Sequence, residues 1–398
     1  MDYPMPARDD AHRYWSLVGL AALVTLAGLV AAHYMEEHGH IVTGMNNQIV
    51  WGMPHVFAIF MIVAASGVLN VASIGSVFGQ APYKPRAPLS GLLCLALLAG
   101  GLFVLMLDLG KPDRLIVAAT HYNPTSVFAW NVFLYSGMAA IVAVYLWTLL
   151  ERRMNPYSRY AGLAAFVWRI VLTTGTGSIF AFLVARQAYG SALLPPLFVV
   201  LSFAWGLAVF LVVHAAIYAW TGRRPPPEVL GRMGRLLALF VVAAFYLVLV
   251  YHMVNAYFAK QQVFERFLLL DGGVYPLLFW GGYVAVGGIA PLALLWHPRL
   301  RGPRATLAAA LLVIAGAFAW LYVFIIGGQA FPLEIFPGYH VTSSFGDGQI
   351  QSYVPSLPEI ALGCGGLGLA FLITLAGLRT LPFAPKDEAG PVAVAAGH

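Results

Sequence analysis

The chain has 398 residues, of which 60% are hydrophobic and only 10% charged, with a formal net charge of +6. Soluble domains carry about 25% charged residues, so a water-soluble globular fold is excluded. The apolar runs are solid rather than alternating, which excludes a membrane β-barrel and predicts an all-α polytopic membrane protein.

Ten spans are expected in chain order, at about residues 15–34, 51–79, 89–109, 125–150, 161–190, 195–220, 236–258, 274–296, 305–328 and 358–379. The long second and fifth must tilt or protrude. Polar tails over 1–14 and 380–398 flank this membrane domain of 15–379. The first run is long enough to span and follows a polar stretch, so no cleaved signal is expected. Both cysteines, Cys94 and Cys364, sit inside apolar runs. A pair is too few for an iron–sulfur cluster and reads as two small buried hydrophobes.

Sixteen Lys and Arg fall on the side of the termini. Four (Lys111, Arg114, Lys260, Arg266) fall on the other, and Arg169 and Arg186 are assigned to the fifth span. The bias predicts cytoplasmic termini in a bacterial inner membrane. The net charge then reflects topology, and no nucleic-acid partner is expected.

Span three ends outward in VLMLDLGKPDRL (104–115), which places Asp108 in an apolar run. Gly110 and Pro112 explain a turn. A carboxylate at a helix C-terminus opposes the dipole and needs compensation. It is either a local ion pair with Arg114 or Lys111, or part of a site. Other polar groups gather at the same depth. His55 and Trp51 open span two, Trp130 and Asn131 lie early in span four, and Arg186 and Tyr189 are expected one turn apart at the end of span five. Tyr251, His252 and Asn255 close span seven. Singly, each reads as an interhelical hydrogen bond or an aromatic-belt residue. Together, an acid, a His, an Arg and aromatics suit a quinone, which needs donors, a proton exchanger and ring contacts.

Nearer the cytoplasm, Arg169 and His214 are either structurally paired or part of a proton path. HYMEEHGH (33–40) has no standard metal spacing, so no metal site is expected. A haem is not expected either, because the His residues do not pair at mid-membrane. The Gly clusters TTGTGS (173–178) and GCGGLG (363–368) read as close helix packing.

DLGKPDRL resembles a motif of the NrfD/PsrC family, the membrane subunits of polysulfide-reductase-type complexes. TGMNNQIVWGMPH (43–55) and SVFAWN (126–131) are similar to further family segments. The resemblance covers the first four spans. It implies two four-helix bundles, about 51–190 and 195–328, flanked by spans one and ten as in the longer branch. It also implies menaquinone or ubiquinone near the outer face, with His55 and Asp108 at the quinone as the catalytic pair. Trp51, Arg114, Asn131, Arg186 and Tyr189 complete the expected quinone-binding set. The implied partners are a periplasmic ferredoxin-like iron–sulfur subunit and a molybdopterin enzyme or multihaem cytochrome. The outer loops 36–50 and 332–345 are the expected platform for the iron–sulfur subunit. A secondary transporter and a purely structural anchor are the competing readings. The first would show midplane polar groups and inverted repeats, and the second would bind no quinone.

Overall fold

A computed structural model of the protein describes residues 11–300, 302–333 and 348–385. Among them, ten helices are long and apolar enough to cross a membrane, and no strand occurs. They are α1 (Ala11–His38), α2 (Met53–Ser76), α3 (Ala81–Leu107), α4 (Val127–Leu150), α5 (Asn155–Ala181), α6 (Leu194–Trp220), α7 (Pro227–Tyr257), α8 (Val274–Trp296), α9 (Pro303–Ala330) and α10 (Leu357–Thr380). Most of the expected platform loop 332–345 lies outside the described residues.

Two boundaries differ markedly from expectation. α7 starts at 227 rather than 236, because Pro227 sits in the helix's first turn and Arg232 pairs with Glu228 one turn earlier, at 2.5 Å. Hydropathy alone assigns those polar turns to a loop. α5 ends at 181 rather than 190. Gly190 takes a φ of +78° and its N–H returns to the Phe180 carbonyl, so the backbone folds back on itself. Arg186 and Tyr189 therefore lie in a loop and do not share a helix face.

α2 is the centre of the molecule, packed against α3, α5, α6 and α10. α4 packs on α3 and α5 to complete a group of four. α6 to α9 form a second group through α6–α7, α6–α9 and α8–α9 contacts. The groups meet where α2 crosses α6. A Cβ on Gly67 would lie 1.6 Å from the Ser202 carbonyl oxygen, so only glycine permits that approach. α1 packs along α10, with a Cβ on Gly28 only 2.7 Å from the Gly365 Cα. Without hydrophobic drive between helices in lipid, such close approach supplies the dispersion contact that holds them.

Both α8 and α9 carry π-helical stretches, Leu277–Ile289 and Tyr322–Gly327. The helices alternate in direction. One end of the bundle thus gathers the segments at 38–53, 107–127, 181–194, 257–274, 330–333 and 348–357, and Asp108 is at that end.

Candidate functional site

Asp108 caps the C-terminus of α3, its N–H bonded to the Val104 carbonyl. Gly110 follows with a φ of +71° and turns the backbone out of the helix axis. The Asp108 side chain is 1% exposed. Among the described residues, neither carboxylate oxygen has a hydrogen-bond donor in regular geometry. The nearest polar group is His55 Nδ1, 2.7 Å from Oδ2. That approach is off the line of a regular hydrogen bond, so the contact is electrostatic. Lys111 and Arg114 are exposed and form no ion pair with Asp108, so of the two alternatives the sequence left open the local ion pair does not hold. The turn at Gly110 and the new helical turn at Pro112–Arg114 carry both cations away. A lone buried carboxylate is costly, and one shared with an imidazole is relieved by a single proton on either partner.

His55 is the third residue of α2, whose start is set by Gly52 as N-cap and Pro54 in the first turn. Trp51 stacks on the His55 ring at 5.7 Å and 23°, and meets Phe180 edge-on at 5.6 Å. Beside this group, a pocket of about 380 Å³ opens between residues 40–50 and Asp108. His40, Met45, Asn46, Asn47 and Val50 form its wall. The volume falls within the range of about 300–1,000 Å³ usual for small-molecule sites. His40 comes from the HYMEEHGH stretch. That sequence is divided by the fold, since His33 and Glu37 pair at 3.3 Å on the exposed face of α1 while His40 reaches the pocket.

The pocket wall is held from three directions by polar side chains, two of them buried. Gln329, 1% exposed in the last turn of α9, grips the Trp51 backbone on both sides. Its Oε1 accepts from the Val50 and Trp51 N–H groups at 3.0 Å each, and its Nε2 donates to the Trp51 carbonyl at 2.9 Å. Arg186 donates to the Gln48 and Gln329 carbonyls at 2.7 and 3.1 Å. Glu359, fully buried at the start of α10, accepts from Gly44 N–H at 2.8 Å and from the Tyr353 hydroxyl at 2.6 Å. Tyr353 in turn accepts from Met53 N–H at the start of α2. Burial, then the hydrogen bond to the Glu359 carboxylate, pushes the Tyr353 hydroxyl well above its usual pKa. Burial likewise lowers Arg186, with Tyr189 opposing the shift.

The other expected site residues lie farther out. Tyr189 donates to the Phe324 and Ile325 carbonyls within the π-helical stretch of α9. Asn131 bonds Val127 and Gly175 between α4 and α5 and does not line the pocket. Arg169 and His214 do not pair with each other. Arg169 donates to Asn70 at 2.7 Å and lies over the Phe166 and Phe203 rings. His214 accepts from Arg86 at 3.2 Å. Arg86 counts among the sixteen loop cations by sequence, yet it is 1% exposed.

Asp108 is not alone as a buried acid. Glu265, on the short helix Ala259–Leu269, accepts from Asn255 at 2.8 Å and lies 2.8 Å from His252 Nδ1. Unlike Asp108, both its oxygens are satisfied. The void beside it, about 10 Å³, is below the size of a ligand. Sequence reasoning missed Gln329, Glu359 and Glu265. Gln329 and Glu359 sit at the ends of apolar runs, where one polar residue reads as a boundary. Glu265 lies in FERF, whose charges suggest a loop; its partners one turn apart on α7 were the available signal.

The family model described as "Polysulphide reductase, NrfD" matches residues 41–333. That interval holds α2 to α9 and leaves α1 and α10 outside. Among curated proteins, the sequence is 30% identical to the Hdr-like menaquinol oxidoreductase integral membrane subunit of Archaeoglobus fulgidus, over 95% of each protein. It is 27% identical to a putative dimethyl sulfoxide reductase membrane subunit of Halobacterium salinarum, over 92% of this protein and 90% of that one. A polysulfide reductase polypeptide of Wolinella succinogenes is 23% identical, matching 72% of this sequence and 96% of its own length. With the family model spanning most of the sequence and ten apolar helices in the fold, this chain belongs to the NrfD polysulphide reductase family of multi-pass membrane proteins.

Proposed function

We propose that the protein is the quinone-reactive membrane subunit of a multi-subunit oxidoreductase. One observation carries this reading: the buried Asp108 carboxylate, whose ion-pair partner among the described residues is His55, stands at the wall of a ligand-sized pocket, with Trp51 stacked on that His55. The donor set fits a quinone. The orphaned carboxylate can exchange a proton, the imidazole can take or share it, and the indole offers a flat apolar face. A bound quinol supplies electrons and protons together. Asp108 Oδ1 is the group that accepts or returns the proton. His55 Nδ1 holds the balancing charge at Oδ2, and Trp51 orients the ring.

The similarity to a menaquinol oxidoreductase subunit and to reductase membrane subunits supports a place in such a complex, with menaquinol as the first quinol to test. The partner that exchanges the electrons is an iron–sulfur subunit docked at the Asp108 end. The charge bias supports a periplasmic position for that end, with both termini cytoplasmic. The test is photolabelling of the purified complex with an azido-quinone. Labelled peptides within 40–55 or 107–110 are expected. Labelling confined to α6–α9, with none at Asp108, would refute the assignment.

A further inference from the structure

We propose that the cavity at the opposite end of α2–α5 is a binding site for an anionic phospholipid, with the phosphate held between Lys84 and Arg159. The cavity has a volume of about 520 Å³. It lies where α2 and α4 end and where α3 and α5 begin, so it sits at the membrane–water boundary. Lys84 and Arg159 line it, yet the side chain of neither has a hydrogen bond or an ion pair among the described residues. No carboxylate lines it. The one acid in the adjoining turn, Glu151, is turned to the Arg153 N–H at 3.2 Å.

Lys84 and Arg159 are both exposed, so solvent screens their mutual repulsion in part, and an anion between them would be attracted by both. Asn155 and Ser158 add donors that suit phosphate oxygens. Apart from Ser76, whose hydroxyl is engaged by the Tyr145 hydroxyl, the rest of the wall is apolar. Leu149 and Phe78 contribute, and Phe78 extends along the surface to meet Phe166 edge-on at 5.8 Å. A free phosphate has no use for that face, whereas the acyl chains of a lipid lie along it. A basic cavity between helices with an apolar flank is the pattern that recognises anionic headgroups. Bound there, the lipid would tie the start of α5 to the end of α2 at the mouth of the helix group whose other end carries Asp108.

The experiment uses the whole purified complex in phosphatidylcholine nanodiscs doped with phosphatidylglycerol, with retained lipid counted by native mass spectrometry. Each cation near the surface contributes about fivefold in binding, so Lys84→Gln with Arg159→Gln should weaken phosphatidylglycerol retention about 25-fold. Phosphatidylcholine retention should not change. Arg152→Gln with Arg153→Gln, which removes exposed cations of the same turn outside the cavity, should have little effect. Equal losses from both pairs would show a diffuse charge effect and overturn the site, as would no loss from the Lys84/Arg159 pair. Retention that inorganic phosphate abolishes at equal concentration, with phosphate itself bound in lipid-free detergent, would show that the ligand is a free anion and overturn the lipid assignment.

Discussion

Replacing Gln329 by Leu keeps the size of a buried side chain and removes its polar end. In the wild-type protein that end makes three hydrogen bonds to the Val50–Trp51 backbone and a fourth to the Ile325 carbonyl. An unmade buried hydrogen bond costs about 1–3 kcal/mol. Val50 is 49% exposed, so water can satisfy its N–H, and Ile325 retains the Tyr189 hydroxyl as a donor. The Trp51 N–H and carbonyl remain, for a loss of about 2–6 kcal/mol. The Gln48 amide still holds the Gln329 and Ala330 backbone carbonyls, so the segment loosens and the spans stay folded. If about 2 kcal/mol of this loss is expressed as disorder of the pocket wall, quinol binding weakens about 30-fold. Steady-state quinol oxidation by the intact complex should therefore show KM raised by about 10- to 100-fold, with kcat changed far less. Gln329→Glu keeps the acceptor for Val50 and Trp51 and should recover part of the loss. A Gln329→Leu complex that assembles with unchanged KM would refute the clamp. A fall in kcat alone would assign Gln329 to a different step.

Asp108→Asn keeps the shape of the side chain but cannot exchange a proton at neutral pH, so turnover should fall by about 100-fold or more while the complex still assembles. Near-normal turnover would make the residue structural. Gly206→Leu should block the α2–α6 crossing, because even a Cβ there would lie 2.1 Å from the Gly67 carbonyl carbon; blue-native gels should show loss of the assembled complex. The raised Tyr353 pKa sets a pH window. The latch is fully stabilising below the ordinary tyrosine range near 10, and that stability declines as pH rises above it, where the unfolded protein ionises and the folded one does not. The Tm of the complex should therefore fall more steeply above pH 10 in the wild type than in Tyr353→Phe, and parallel curves would remove Tyr353 from the account. Reporters fused to either terminus should both score cytoplasmic, and a periplasmic signal from one of them would invert the site.

Much of the fold was legible because apolar runs of spanning length can take only one form in lipid. The Lys and Arg bias survives the structure, since moving Arg186 from a span to a loop adds one cation to the poorer side and leaves the asymmetry in place. The site was legible in outline, because a carboxylate inside an apolar run has no cheap explanation. Its partner is named there from the gathering of polar groups at one depth and from the family resemblance, not from a local pattern. Arg114 and Lys111 are near Asp108 in sequence, whereas His55 is brought to it by the α2–α3 packing, which no local pattern encodes. The supporting residues were hidden, since no local pattern encodes their contacts either. Gln329 acts on a segment 278 residues away, and only the folded protein makes that connection.

The bond from Glu359 to Gly44 spans 315 residues, and the one from Tyr353 to Met53 spans 300. Membrane helices are inserted as the polypeptide is synthesised from the N-terminus. The wall of the pocket therefore waits, unanchored on this side, until the last helix has entered the bilayer. A polypeptide interrupted before α10 would carry every residue of the family match and still lack the brace that fixes its own binding segment. Synthesis order thus works as a timer: Asp108 is in place early, but the cleft beside it is fully framed only after α10 has been made.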